Sequence, residues 1–306
     1  MQKVSYRGWP NCYRLANDRV EVIATTDVGP RIIQLAVPGG ENMMGVMEEQ
    51  AGLTGGEEWR IYGGHRLWHS PEARPRSYVP DNAPVEAVID GDTLRLTPPP
   101  EGPTGIQKVM EITLVGGQPH VEVRHLLENR GLWAVDLAPW ALTVLNLGGL
   151  AIVPQSDWQT AENLLPNRVV TLWPYSDMRD PRVDWGGQYI LLRQDPQREP
   201  PFKVGTNSTQ GWAAYYRKNQ LLVKCFDYEP EAIYPDGGCS VETYTNDRFL
   251  ELETLGPLCT LEPGEAVEHV EHWFLYDQVE PVATEDDVER SVRPLAEQCR
   301  QQALGY

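Results

Sequence analysis

Short runs of alternating apolar and polar residues, each closed within a few positions by Gly, Pro, Asn or Asp, fill most of the chain. "RVEVIAT", "RIIQLAV", "VEAVIDGDTLRLTP", "QKVMEITLVGGQPHVEVRHLLEN", "QLLVKCFDY" and "FLELETL" all have this form. Successive side chains of a strand point to opposite faces, so such runs suit strands with one face buried. "IDGDT" and "VGGQP" supply hairpin turns, where glycine takes the positive φ that the turn requires. Regular strand and turn spacing predicts an all-β protein of antiparallel sheets packed face to face.

At 306 residues the chain can bury a full core, and no repeat or composition shift divides it. One β domain is expected over 1–283, with a helical extension packed on it over 284–306. That extension, "TEDDVERSVRPLAEQCRQQAL", opens with Thr284 as N-cap and acidic residues in the first turn. Val288, Val292, Leu295 and Cys299 follow at helical spacing, and Pro294 is expected to kink or split the helix. Pro154 to Gly187 reads as a long, loop-rich insert carrying Trp158, Trp173 and Trp185.

A formal charge of -18 disfavours any sequence-independent hold on nucleic acid or an anionic membrane, so neither is expected as a partner. The N-terminus lacks the apolar core of a secretion signal, and a cytoplasmic location is expected. Five scattered cysteines, none in a C-x-x-C pair, read as reduced packing thiols rather than a zinc cage. Tryptophan is abundant, ten against four Phe, and its broad face suits the C–H faces of sugars as well as cores.

Two stretches carry candidate chemistry. In "YGGHRLWHSPE", Tyr62 to Glu72, a glycine pair precedes His65, Arg66, Trp68, His69 and Glu72. Read as a turn, it lets the backbone approach a ligand and leaves histidine no packing role. Trp68 is then a stacking platform, and Arg66 a fork for a carboxylate, either Glu253 or a uronic-acid substrate. Other arginines near it are Arg60, Arg74 and Arg76. An H-x3-H-x2-E spacing over His65, His69 and Glu72 resembles a zinc motif, but the glycines and Pro71 argue against the helix it needs, and no metal is expected. In "FLELETLGP", Leu250 and Leu252 alternate with Glu251 and Glu253, so the leucines anchor a strand while two carboxylates line one face about 7 Å apart. Glu242, Tyr244 and Asn246 in "VETYTN" share a face leading into it, a polar set suited to sugar hydroxyls. His125 shares its face with Val121, Val123 and Leu127 and reads as a core histidine, while His269 and His272 point to opposite faces.

The segment "YTNDRFLELETLGPLCTLEPGEAVEHVEHWFLY" resembles the C-terminal end of the aldose 1-epimerase (galactose mutarotase) superfamily. The matching positions are Leu252-Glu253-Thr254 and Leu261-Glu262-Pro263-Gly264-Glu265. "TTDVGPRIIQLAVPGGENMMG" resembles the superfamily's opening strands, and the "GGHRLW..PE" block looks closest to uncharacterised mutarotase-like proteins. The resemblance implies a galactose mutarotase-like β-supersandwich with a C-terminal helix, no cofactor, and a small carbohydrate ligand. It makes Glu253 the catalytic base and places His65 at a sugar-contacting position. The strand where the second family histidine belongs reads "DLAPWALTVLNLGG", with Trp140 and Thr143 and no histidine, so His65, His69 or His125 would have to act as acid. The implied function is anomer interconversion by carboxylate and histidine acid–base chemistry. The alternatives are a non-catalytic sugar-binding or sensing module, and a lyase or hydrolase on an acidic or oligomeric sugar.

Overall fold

The computed structural model describes residues 1–156 and 164–305, so Trp158 lies outside the described residues. Among the described residues, two sheets of eleven and ten strands pack across a shared core. In the first sheet, Gln2–Tyr6, Trp9–Ala16, Glu21–Thr25 and Arg31–Ala36 lie side by side in chain order. They are followed by His65–Ser70, Val135–Leu145, Leu250–Leu255, Val241–Thr245, Phe202–Thr206 and Val170–Leu172. The second sheet has Gln220–Phe226, Ala266–Tyr276 and His120–Asn129 at its centre. This is the expected all-β sandwich of antiparallel sheets with a C-terminal helical extension.

Period-2 patterning explains the packing. Leu250 and Leu252 from the first sheet meet Val121, Val123, Leu222 and Trp273 from the second in one apolar cluster. Each fully buried aliphatic side chain there contributes about 1.5–3 kcal/mol. His125 takes its place in the row of buried residues along His120–Asn129, as its spacing predicts.

The predicted C-terminal helix forms as two, Glu285–Ser291 and Arg293–Leu304, with Pro294 in the first turn of the second, where its missing N–H breaks no helical bond. Thr284 accepts from the Asp287 N–H, and the Asp287 carboxylate accepts from the Thr284 N–H, a reciprocal cap. Val288, Val292, Ala296 and Cys299 cover the outer face of the second sheet against Trp212, Phe274 and Tyr189. Among the described residues no helix is long and apolar enough to cross a membrane.

Candidate functional site

Five adjacent strands of the first sheet place the candidate residues. Register sets Leu142 opposite both Arg66 and Glu253, with Glu253 in turn opposite Glu242. One row along, Trp140 lies opposite Trp68 and Leu255, and in the next row Tyr244 lies opposite Glu251 and Lys203. Directly opposed residues share a face, so all of these project away from the interior. Gly205 faces Glu242, and a Cβ there would stand 2.6 Å from Cys239 Sγ and 3.3 Å from Glu242 Cγ, so the absence of a side chain makes room for the buried carboxylate.

Above this face lies a cleft of about 420 Å³. Trp59, Trp68, Trp140, Trp173, Tyr78, Tyr175 and Tyr244 wall it, with Arg66, Arg74, Lys203, Glu72 and Glu251 among the rings. The cations are stacked on aromatics. Arg66 lies 4.8 Å from the Trp68 ring centre, Arg74 4.3 Å from Tyr78, and Lys203 Nζ lies 4.6 Å from Trp140 and 4.4 Å from Trp173.

Arg66 Nη2 is 3.0 Å from Glu251 Oε1, while Arg66 Nε and Nη1, both buried, donate to no described residue. Burial raises the Glu251 pKa, and Arg66 pulls it back only in part. Lys203 Nζ donates to Glu253 Oε2 at 2.9 Å, and the Trp140 indole N–H donates to the same oxygen at 2.7 Å, leaving Glu253 Oε1 without a hydrogen-bond partner among the described residues. Glu242 lies 2.7 Å from Nζ but off the hydrogen-bonding direction, an ion pair only. Burial works against the Lys203 charge, yet Glu242 and Glu253 together outweigh it and raise the lysine pKa. Burial also holds Glu242 well above the usual carboxylate range.

Several expectations are corrected. His65 is fully buried on the opposite face of its strand from Arg66 and Trp68, pointing between the sheets. His69, four residues on, shares that face; its Nε2 lies 3.8 Å from Glu101, and neither ring nitrogen has a hydrogen-bond partner among the described residues. Burial lowers the pKa of both histidines, so neither is placed or charged to act as acid in the cleft. The glycine pair does not admit a ligand. At φ +94° and +72°, Gly63 and Gly64 press against backbone, where an added Cβ would meet Gly45 O and Ile32 O at 2.1 Å. Trp68, expected as a stacking platform, is packed in a buried cluster with Trp140, Leu142 and Leu255 against Trp59 and Tyr78. The base proposed by resemblance, Glu253, shares the cleft-side face with Glu251 but is fully buried beneath Lys203 and Trp140. Glu72 lies at the cleft wall, accepting from the Tyr78 hydroxyl. His65, His69 and Glu72 do not converge, because each is held by different partners.

His65 belongs instead to a polar island between the sheets. The His125 Nδ1–H donates to the His269 carbonyl at 2.8 Å, so its Nε2 accepts from His65 Nε2–H at 2.6 Å. His65 Nδ1 then accepts from Thr143, whose oxygen accepts from Lys224 Nζ. Lys224 also pairs with Glu271 at 2.5 Å, and Thr254 and Trp273 donate to the same carboxylate. His65, His125 and Glu271 offer donor atoms within 4.8 Å of one another, a possible cation set. However, these hydrogen bonds already use the donors, and a dication there would meet the Lys224 ammonium.

Sequence reasoning missed Lys203, Trp59, Tyr78 and Tyr175. Lys203 sits in a strand buried on both faces, Phe202–Thr206, which has no alternation to signal which way the lysine points. The aromatics reach the cleft from loops and a short 3₁₀ turn that strand patterning does not place.

Neither a protein-family model nor a curated protein matches the sequence. Solved structures do. A galactose mutarotase-like protein from Lactobacillus casei has a TM-score of 0.58 at 8% identity, over 87% of this chain and 100% of that one. An Escherichia coli protein provisionally named aldose 1-epimerase has a TM-score of 0.54 at 13% identity, over 87% of this chain and 99% of that one. A TPR-domain containing protein from Parabacteroides distasonis has a TM-score of 0.59 at 16% identity over 89% of this chain, which spans only 48% of its length. At such identities the likeness shows the fold alone: a galactose mutarotase-like supersandwich.

Proposed function

We propose that the protein binds a carbohydrate in the cleft over Trp68, Trp140, Glu251 and Lys203. The observation that carries this reading is the wall itself, four tryptophans and three tyrosines interleaved with hydrogen-bonding charges in one concavity. Flat rings stack on the C–H faces of a pyranose while carboxylates and cations take its hydroxyls. The fold shared with mutarotase-like proteins supports the same class of ligand. The test is titration calorimetry with a panel of monosaccharides on the wild type and on Trp173→Ala. Binding that weakens about tenfold or more in the variant is expected, and a panel without any binder would remove the reading.

Anomer exchange is the second reading, and one observation favours it. Glu251 and Glu253 lie two apart on one strand face, and burial raises the Glu251 pKa, so the pair offers a proton donor beside an acceptor without any histidine. Lys203 would have to swing aside for a sugar to reach Glu253. NMR exchange spectroscopy on a sugar that binds would show acceleration lost about 10²-fold in Glu253→Gln. Exchange at the buffer rate in wild type would leave a sugar-binding module without turnover.

A further inference from the structure

We infer that the sugar this cleft takes is acidic, its carboxylate docking on Arg66. The inference rests on the sugar-cleft reading above and deepens it. In a chain of net charge -18, three cations converge on one aromatic cleft: Arg66, Arg74 and Lys203. Each is stacked on a ring and so held in place before any ligand arrives.

The three differ in what they have left to offer. Lys203 is committed to Glu253 and Glu242 behind it. Arg74 sits at the rim over Tyr78. Arg66 is 3% exposed, is flanked by Trp59 and Trp68, and spends a single nitrogen on Glu251. Its Nε and Nη1 have no partner among the described residues. A buried guanidinium with unused N–H groups is expensive to leave unpaired, and the groups that match its planar fork are carboxylate and phosphate. A neutral pyranose offers only hydroxyls to such a fork.

Carboxylate is favoured over phosphate by the number of oxygens. A carboxylate brings two, which one fork of the guanidinium takes up fully, whereas a phosphate brings a third for which that fork has no N–H left. The ligand is therefore a hexuronic acid, free or as one unit of a chain.

Calorimetric titration of wild type, Arg66→Gln and Arg66→Lys with D-glucuronate, D-galacturonate, D-glucose, D-galactose and glucose 6-phosphate tests this. One uronate should bind about tenfold or more tighter than its neutral counterpart, the scale of one charge-assisted pair. Arg66→Gln should abolish that margin, and Arg66→Lys should keep part of it. Equal or tighter binding of the neutral sugars overturns the inference while the sugar-cleft reading stands. Tighter binding of the phosphate overturns the choice of carboxylate, and a margin that survives in folded Arg66→Gln overturns the role of Arg66. If no sugar of either kind binds, both readings fall together. Should Arg66→Gln fail to fold, the wild-type comparison alone decides between acidic and neutral sugars.

Discussion

Lys203 is the residue on which the floor of the cleft turns. It holds Glu253 and Glu242, both fully buried, and removing one member of a buried charge cluster leaves the others without compensation. Lys203→Met is expected to cost about 3–5 kcal/mol in a denaturant melt. Adding Glu253→Gln to that variant should recover part of the loss, because one stranded charge is then gone. Trp68 makes a second case. Its indole, expected from the sequence as an open platform, is 6% exposed among Trp59, Trp140 and Tyr78. Trp68→Ala should therefore cost about 3–5 kcal/mol, as a core ring does, in addition to any effect on ligand affinity. A melt within about 1 kcal/mol of wild type would return Trp68 to the open wall.

At the scale of elements, the strand His65–Ser70 carries two different sets of polar and aromatic groups on its two faces. Arg66 and Trp68 face the cleft, while His65 and His69 face inward, and a slip of one residue would exchange them. The register is pinned by the glycine pair ahead of it, whose lack of Cβ lets the Ile32 and Gly45 carbonyls approach. Gly64→Ala, at positive φ and in contact with backbone, should destabilise the fold by more than the roughly 1 kcal/mol usual for such a change on an open turn. It should also weaken the proposed sugar binding through displacement of Arg66. The C-terminal helices give a smaller test. Thr284→Ala removes the cap and should cost about 1 kcal/mol.

Across the whole molecule, the polar island between the sheets couples stability to pH. Burial lowers the pKa of His65 and His125, and lowers that of His269 to about 3, so all three stay neutral when folded. In the unfolded chain they protonate near 6.5. The unfolded state thus binds more protons as pH falls below 6.5, and the stability present above that value is lost progressively toward the folded pKa values. Glu242 and Glu251, with pKa raised by burial, act in the opposite sense, since they favour the folded state while protonated. The difference between proteins isolates the histidine part: on acidification from about pH 7 to about pH 5, wild type should lose more stability than His65→Gln. Equal losses would mean that His65 does not titrate as its burial requires. The alternation of "FLELETL" determined by itself that Leu250 and Leu252 pack inward and that Glu251 and Glu253 share the other face. The Thr284 signal and Pro294 likewise determined the split C-terminal helix, since strand period and helix caps are local properties of backbone geometry. Only the tertiary structure decided that the histidines of "GGHRLWH" point between the sheets, that Lys203 covers Glu253, and that Trp59, Tyr78 and Trp173 close the cleft. Those contacts join residues far apart in the chain, His65 to His125 across 60 positions and Lys203 to Glu253 across 50, and the face a strand turns to the core is fixed by what packs across from it, which no local run of sequence contains.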